Sequence, residues 1–161
     1  MGYQGDLKKI LDVGIALSKE KDRNKLLDMI LDSGMEIANC DGGTLYIERD
    51  DSLHFQVMKT ISMNVDKGKN GENIDLPPVP MKEENICAYT LIHKKALNIK
   101  DVYSSTEFDF SGPLRYDSMT GYHTQSMLTI PLLNQEDEAV GVLQLINAMD
   151  ENGNVIAFDE S

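Results

Sequence analysis

Thr120-Gly121-Tyr122-His123-Thr124-Gln125-Ser126-Met127-Leu128-Thr129-Ile130-Pro131-Leu132-Leu133, then Asn134-Gln135-Glu136-Asp137-Glu138, then Ala139-Val140-Gly141-Val142-Leu143-Gln144-Leu145-Ile146-Asn147: this stretch decides the fold. Two apolar runs flank a polar break, the spacing of two antiparallel strands joined by a hairpin. The second run is apolar on both faces, which places it in the middle of a sheet rather than at an edge. Gln144 breaks that pattern. It is expected to share a face with Val140, Val142 and Ile146, where its amide needs hydrogen-bond partners or a ligand.

Around this hairpin, 161 residues make one domain large enough to bury a core without disulfides or metal. Fifteen basic residues against 27 acidic ones give a net charge of −12, with no basic cluster to offset it. Such a surface repels nucleic acid and anionic membranes, so neither is expected as a partner. Cys40 and Cys87 fit no metal or redox spacing and read as reduced, partly buried thiols. No apolar run is long enough to span a membrane and no signal-peptide layout opens the chain, so a cytoplasmic location is expected.

Leu7, Ile10, Leu11 and Ala16 or Leu17 have helical spacing. Asp22 then suits the N-cap of a second helix running to about Ala38, with Leu27, Ile30, Leu31 and Met35 on one stripe. Asp41-Gly42-Gly43 reads as a break before a short strand from Thr44 to Glu48. Arg49 to Ser52 is a turn, and Leu53 to Lys59 alternates as the returning strand. Lys67 to Glu72 is a polar loop, and the prolines of Asp75 to Pro80 allow only coil or an edge strand. Asn85 suits the cap of a short helix through about His93, and Ala96 to Ile99 is a brief strand. Asp101 to Met119 reads as a loop holding at most one or two helical turns, of a length more often functional than idle. Asp150 to Asn154 is a turn. Helices first and strands after give an antiparallel sheet with helices on one face, an α+β architecture.

Leu97-Asn98-Ile99-Lys100-Asp101-Val102-Tyr103, Thr120 to Leu128, Pro131-Leu132, Gly141 to Asn147 and Phe158-Asp159-Glu160 stand in an order and spacing that resembles a GAF domain. GAF domains are regulatory modules of cyclic nucleotide phosphodiesterases, some adenylyl cyclases and many bacterial signalling proteins. The resemblance runs from about Leu7 to the end. It implies a six-stranded antiparallel sheet with helices packed on one face and, on the other, a ligand pocket under short helices and loops. By matching position it places Thr44 where a base can be hydrogen-bonded, and Met58 and Lys59 where an aromatic and an acidic residue meet a purine. Asp117, Thr120 and Thr124 match loop positions that touch sugar, phosphate or base, and Gln144 stands where some binders carry a carboxylate.

The chain departs from the family pattern in places. Pro113 stands where a pocket tyrosine is expected, and Met58-Lys59 replaces the aromatic-acidic pair. Ala148 replaces the lysine of the Asn-Lys…Phe…Asp-Glu signature, of which Asn147, Phe158, Asp159 and Glu160 remain. The resemblance also implies that residues 1–161 are a single sensory domain, cut from a longer signalling protein before its last helix. The ending is similar to GAF domains linked to HD-type phosphohydrolases.

No nucleophile-base pair and no metal set is visible, so no catalytic residue and no metal ligand is expected. His54 alternates with apolar neighbours and should face solvent. His123 reads as an ordinary hydrogen-bonded histidine beside the candidate loop. The hydroxyls of Thr120 and Thr124 suit either a ligand or the turn into the strand. Phe108, Phe110 and Tyr116 suit a lid over a base or a packed-down loop. The expected function is a non-catalytic sensor, with a cyclic nucleotide as ligand, a covalently linked output domain and homodimer contacts through the terminal helices. Two other readings stand beside it. One is a ligand-free dimerisation or protein-interaction module, and the other is a GAF-type redox enzyme such as a methionine sulfoxide reductase, which needs closely placed cysteines.

Overall fold

A computed structural model describes residues 20–70 and 72–159, the side chains of 20–23 excepted. The helix expected over Leu7 to Leu17 lies outside the described residues. Helix α1 (Glu20–Ala38) contains Asp22 within its first turns, so that residue does not precede the helix as a cap. Its stripe is as expected: Leu27, Ile30, Leu31 and Met35 are each 4 % exposed or less. One buried stripe at helical spacing gives α1 a single face to lay on a sheet.

Strands β1 (Cys40–Arg49) and β2 (Ser52–Thr60) pair in a hairpin closed between Arg49 and Ser52. Asp50 and Asp51 both have positive φ, 52° and 61°, the two-residue turn whose twist matches that of the strands. The expected break at Asp41-Gly42-Gly43 is strand instead. A Cβ on Gly43 would lie 2.7 Å from Leu31 Cδ1 and 2.9 Å from the Gln144 carbonyl oxygen. Here Gly43 marks close approach of α1 and the strand that carries Gln144, a use that sequence cannot distinguish from a turn.

Strand β3 (Val65–Lys67) pairs with the far end of β2, and β4 (Val79–Pro80) with its beginning, so the proline-rich segment is an edge piece. Helix α2 (Ile86–His93) starts as expected at Asn85, whose Oδ1 accepts from the Cys87 N–H at 3.2 Å. Strand β5 (Leu97–Ile99) follows. Helix α3 (Ser111–Thr120) is longer than the one or two turns expected. Pro113, in its first turn, needs no N–H there, and Gly121 (φ 79°) ends it. Asp117 is the one buried residue of α3, so no apolar stripe announced the helix.

Strands β6 (Met127–Leu133) and β7 (Ala139–Met149) form the expected hairpin, and β8 (Val155–Ile156) pairs with the end of β7. The sheet order is β3-β2-β1-β7-β6-β5, six antiparallel strands in one path with β4 and β8 attached at its side. The fold is α+β with β7 central, as read from the sequence. Val140 departs from its expected face. The register steps from Leu132↔Gly141 to Leu133↔Ala139, so Val140 is left over and packs with the α1 side.

The two faces carry separate cores. Leu27, Ile30, Leu31, Leu45, Val57, Leu128, Leu143 and Leu145 fill the space under α1. Tyr46, Leu53, Ile86, Cys87, Leu91, Val102, Phe110 and Val142 fill the space under α2.

At the α1–β2 contact Asp28 is 2 % exposed, and its Oδ1 is buried without a hydrogen-bond partner. Its Oδ2 lies 3.6 Å from Lys59 Nζ, which also pairs with Asp32. Burial raises the Asp28 pKa, against the attraction of Lys59. A carboxyl whose folded pKa lies above its unfolded value loses stability as pH rises from the unfolded pKa, about 3.9, through the folded one. Asp28→Asn is therefore expected to raise Tm at pH 7, with the gain shrinking toward about pH 4. Calorimetry across that range measures it, and a lower Tm than wild type at pH 7 contradicts the assignment.

Candidate functional site

Strand register sets Met58, Thr44, Gln144 and Thr129 in one row across β2, β1, β7 and β6. The row lies on the face that α2 partly covers. Val142 and Tyr46, one step along, are 0 % and 5 % exposed under the helix. Thr90 of α2 and Thr129 share a buried hydroxyl contact of 2.7 Å, which fixes the helix to the row. Within the row Met58, Thr44 and Thr129 are 8 %, 5 % and 0 % exposed. Gln144 and Ile146 are half-buried although β7 has hydrogen-bonded neighbours on both sides. A side chain in the middle of a sheet reaches solvent only where the face above it opens.

The Gln144 amide is held by its oxygen. Oε1 accepts from the Tyr46 hydroxyl at 3.1 Å and from the Cys87 thiol at 3.0 Å. Burial pushes the Cys87 thiol up to about 12 and the Tyr46 phenol well above its ordinary value. Both stay protonated at neutral pH and act as donors. A thiol so desolvated is a poor nucleophile. Cys40, also pushed up to about 12 by burial, belongs to the core on the opposite face of the sheet. The two thiols therefore cannot close into a disulfide in this fold.

Asp117 and Thr124 are brought together, but with each other. Asp117 Oδ1 accepts from the Thr124 hydroxyl and Oδ2 from the Thr124 N–H, both at 2.7 Å, and the Tyr103 hydroxyl also donates to Oδ2. This carboxylate anchors α3 to the segment that leads into β6. Thr120 is exposed, its hydroxyl donating to the Tyr116 carbonyl at 2.8 Å and accepting from the Tyr122 N–H, so it caps the helix end rather than facing the row. Lys59 is the clear departure. Alternation along β2 puts it on the α1 face, in the Asp28–Asp32 ion pairs, while its neighbour Met58 points to the row. His54 is half-buried, its Nε2 sharing a hydrogen bond with the Arg49 carbonyl, and His123 stacks on Tyr103 at 4.2 Å. Phe110 is buried under α2, with Phe108 packed against the same core.

Sequence reasoning missed Tyr46 and Cys87. Tyr46 was within reach, because it lies two residues from Thr44 on the same strand face. Cys87 was not, because its link to Gln144 spans 57 residues. A second polar assembly fixes the floor of the loop. Asp41 accepts from the Ser62 N–H at 2.9 Å and the Tyr122 hydroxyl at 2.8 Å, and Asn147 Nδ2 donates to Tyr122 and to the His123 carbonyl. Among the described residues no group of three or more His, Cys, Asp and Glu could hold a metal ion. A separate cleft of about 410 Å³ opens between Arg49, His54 and Phe55 and the segment Asn73 to Pro78.

The family model for the GAF domain matches residues 22–161. The chain belongs to the GAF family. A stretch of 64 residues of this GAF domain is 36 % identical to a dual 3′,5′-cyclic-AMP and -GMP phosphodiesterase 11A of Takifugu rubripes, covering 40 % of this chain and 7 % of that protein. Another, of 67 residues, is 34 % identical to a cGMP-specific 3′,5′-cyclic phosphodiesterase of Drosophila melanogaster, covering 42 % of this chain and 5 % of that one. The match thus spans a small part of these curated relatives. The GAF domain from a Coxiella burnetii phosphoenolpyruvate-protein phosphotransferase superposes with a TM-score of 0.59 at 16 % identity, over 99 % of this chain and 83 % of that one. A type II free methionine-R-sulfoxide reductase from Thermoplasma acidophilum gives 0.58 at 16 %, over 89 % and 83 %. At those identities the structures show the shared fold alone. GAF domains are in general regulatory, and the phosphodiesterase relatives support a sensory or regulatory role for this one. No helix among the described residues is long and apolar enough to cross a membrane.

Proposed function

We propose that this GAF domain is a non-catalytic cytoplasmic sensor that binds a cyclic nucleotide on the open sheet face and controls a covalently linked output domain. The observation that carries the reading is the half-buried Gln144 amide on the central strand, locked by Tyr46 and Cys87 below an opening in the cover. Ligand pockets commonly join an apolar floor to a few fixed polar groups, and Met58, Thr44, Gln144 and Ile146 supply both. The mechanism is differential binding: a ligand seated on the row favours one arrangement of α3 and its loops and shifts the elements that lead to the output domain. The opposite placement of the two raised-pKa thiols argues against the redox reading.

A thermal-shift screen with cyclic mononucleotides, cyclic dinucleotides and linear nucleotides tests this. A ligand at about a hundred times its Kd should raise Tm by about 5–10 °C. Gln144→Ala should weaken binding about tenfold or more without unfolding the domain. No shift with any nucleotide, from a folded sample, overturns the proposal in favour of the interaction module.

The same reading has the domain working as a homodimer. Met29 and Ile37, 63 % and 39 % exposed, lie eight residues apart on the outward side of α1. Exposed apolar side chains on a helix otherwise packed by its other face suit a contact between two copies. Met29→Lys with Ile37→Lys should shift sedimentation from dimer to monomer and lower Tm only by the part that association contributes. A wild-type protein that sediments as a monomer at about 100 μM, well above the Kd of a stable contact, contradicts it.

A further inference from the structure

We propose that the cleft between the β1–β2 hairpin and the segment Asn73 to Pro78 is a second ligand site, one that takes a small zwitterion: a free amino acid with an apolar side chain. The inference does not depend on the reading of the open sheet face as a nucleotide site.

The cleft holds about 410 Å³, within the range of about 300–1,000 Å³ usual for small-molecule sites. Both of its walls are tied to one strand. Arg49, His54 and Phe55 come from the β1–β2 hairpin, where His54 Nε2 shares a hydrogen bond with the Arg49 carbonyl at 3.1 Å. The facing wall runs into β4, which pairs with Ser52 and Leu53, so it returns to the strand that supplies His54 and Phe55. Within that wall Ile74 is 6 % exposed and the Leu76 N–H donates to the Ile74 carbonyl at 2.9 Å. Pro77 and Pro78 then fix φ at two successive residues. A cleft held in this way needs little ordering when a ligand enters.

Two opposite charges line it. Arg49 and Asp75 stand on opposite walls, and among the described residues neither side chain makes an ion pair or hydrogen bond, with the other or with any further group. A guanidinium takes a carboxylate bidentately, and a carboxylate takes an ammonium. The Phe55 ring supplies an apolar surface between them in the chain. It is half-buried and backed by the Tyr46 ring at a centroid distance of 4.8 Å, and the prolines of the facing wall add to it. A carboxylate, an ammonium and an apolar group on one small frame make a free apolar amino acid. Simple ions fit less well. An anion paired with Arg49 meets Asp75 and the field of a chain of net charge −12, and a cation paired with Asp75 meets Arg49. A zwitterion satisfies both groups and brings no net charge.

Isothermal titration of the whole 161-residue chain with L-phenylalanine tests the proposal, beside phenethylamine and hydrocinnamate, analogues that each lack one of its charges. L-Phenylalanine should bind with a Kd of about 1 mM or below, and each analogue about tenfold or more weakly than that. Arg49→Gln and Asp75→Asn should each lower the affinity for L-phenylalanine by about tenfold or more, since each removes the partner of one ligand charge. Both residues are exposed, so these variants should keep the wild-type Tm. Lys100→Gln removes an exposed cation beside β5, at the other edge of the sheet, and should leave the affinity unchanged, which separates contact from overall charge. No heat of binding up to about 10 mM overturns the proposal. So does an analogue that binds as well as L-phenylalanine, or an Arg49→Gln or Asp75→Asn protein that keeps wild-type affinity. None of these outcomes bears on the nucleotide screen, so the two readings stand or fall separately.

Discussion

Gly141→Ala is expected to lower the unfolding free energy by about 3 kcal/mol or more, and Tm by about 6–12 °C. A Cβ at this position would stand 2.1 Å from the Tyr46 carbonyl oxygen and 3.2 Å from Ile47 Cδ1. The nearest obstacle is backbone, which cannot turn aside as a side chain could. Gly141 pairs with Ile47 in the β1–β7 ladder and with Leu132 in the β6–β7 ladder, so the added methyl pushes apart strands at the middle of the sheet. Tyr46 would move with its carbonyl and release the Gln144 oxygen, so ligand affinity should fall as well. Gly112→Ala is the matched control. Nothing lies within 4 Å of its Cβ and it sits in α3, where alanine should be neutral or stabilising by about 0.5–1 kcal/mol. Denaturant unfolding of both variants gives the comparison, and a Gly141→Ala protein as stable as the control contradicts the close approach.

Asn147→Ala should cost about 2–4 kcal/mol. The Asn147 side chain makes four hydrogen bonds from a buried position at the end of the central strand. Its Oδ1 accepts from the Gln125 N–H at 2.7 Å and the Ser126 N–H at 3.2 Å, and Nδ2 donates to the Tyr122 hydroxyl at 2.9 Å and the His123 carbonyl at 2.7 Å. Truncation strands the Ser126 and Gln125 donors and loosens the Tyr122 bond to Asp41, the tie between the loop and β1. Backbone conformation adds a second contribution. Asn147 has a φ of 57°, in the left-handed region that asparagine tolerates better than alanine. Asn147→Gly loses the same hydrogen bonds but not that preference, so it should be milder than alanine by about 1 kcal/mol. Equal losses in the two variants would show that backbone strain contributes nothing here. Hydrogen exchange at Gln125 and Ser126 should accelerate in both.

These two positions show how unevenly the fold was written in the sequence. The β6–β7 hairpin and the α1 stripe were legible because burial repeats with the period of the element, 2 in a strand and 3.6 in a helix. The Asn85 cap was legible because capping is local chemistry. Helix α3 was not, since Asp117 is its one buried residue and a lone buried carboxylate has no period. Gly42 and Gly43 misled for a related reason. Glycine serves turns and close approaches alike, and only the position of Leu31 and the Gln144 carbonyl tells which. The residue left over in the β6–β7 register moved Val140 to the α1 face, a slip that strict alternation does not anticipate.

The candidate site divides along the same line. Gln144 was marked by sequence alone, because an amide among apolar residues on a central strand must be satisfied by something. Thr44 and Met58 came from matching position and do face the same row, whereas Lys59 is turned away by the alternation of its own strand. Asp117 and Thr124 have the polar chemistry of a ligand contact and spend it on each other.

What the sequence by itself determined, then, is the α+β class, the central hairpin, the helical face that packs on it and the one polar side chain on the central strand that needs partners. All of these follow from which side chains must leave water, a property of neighbours in the chain. Only the tertiary structure decided which polar groups meet and which way their hydrogens point. Tyr46 and Cys87 reach Gln144 across 98 and 57 residues. A hydrogen bond takes its direction from the partner that folding brings, and no local pattern records it.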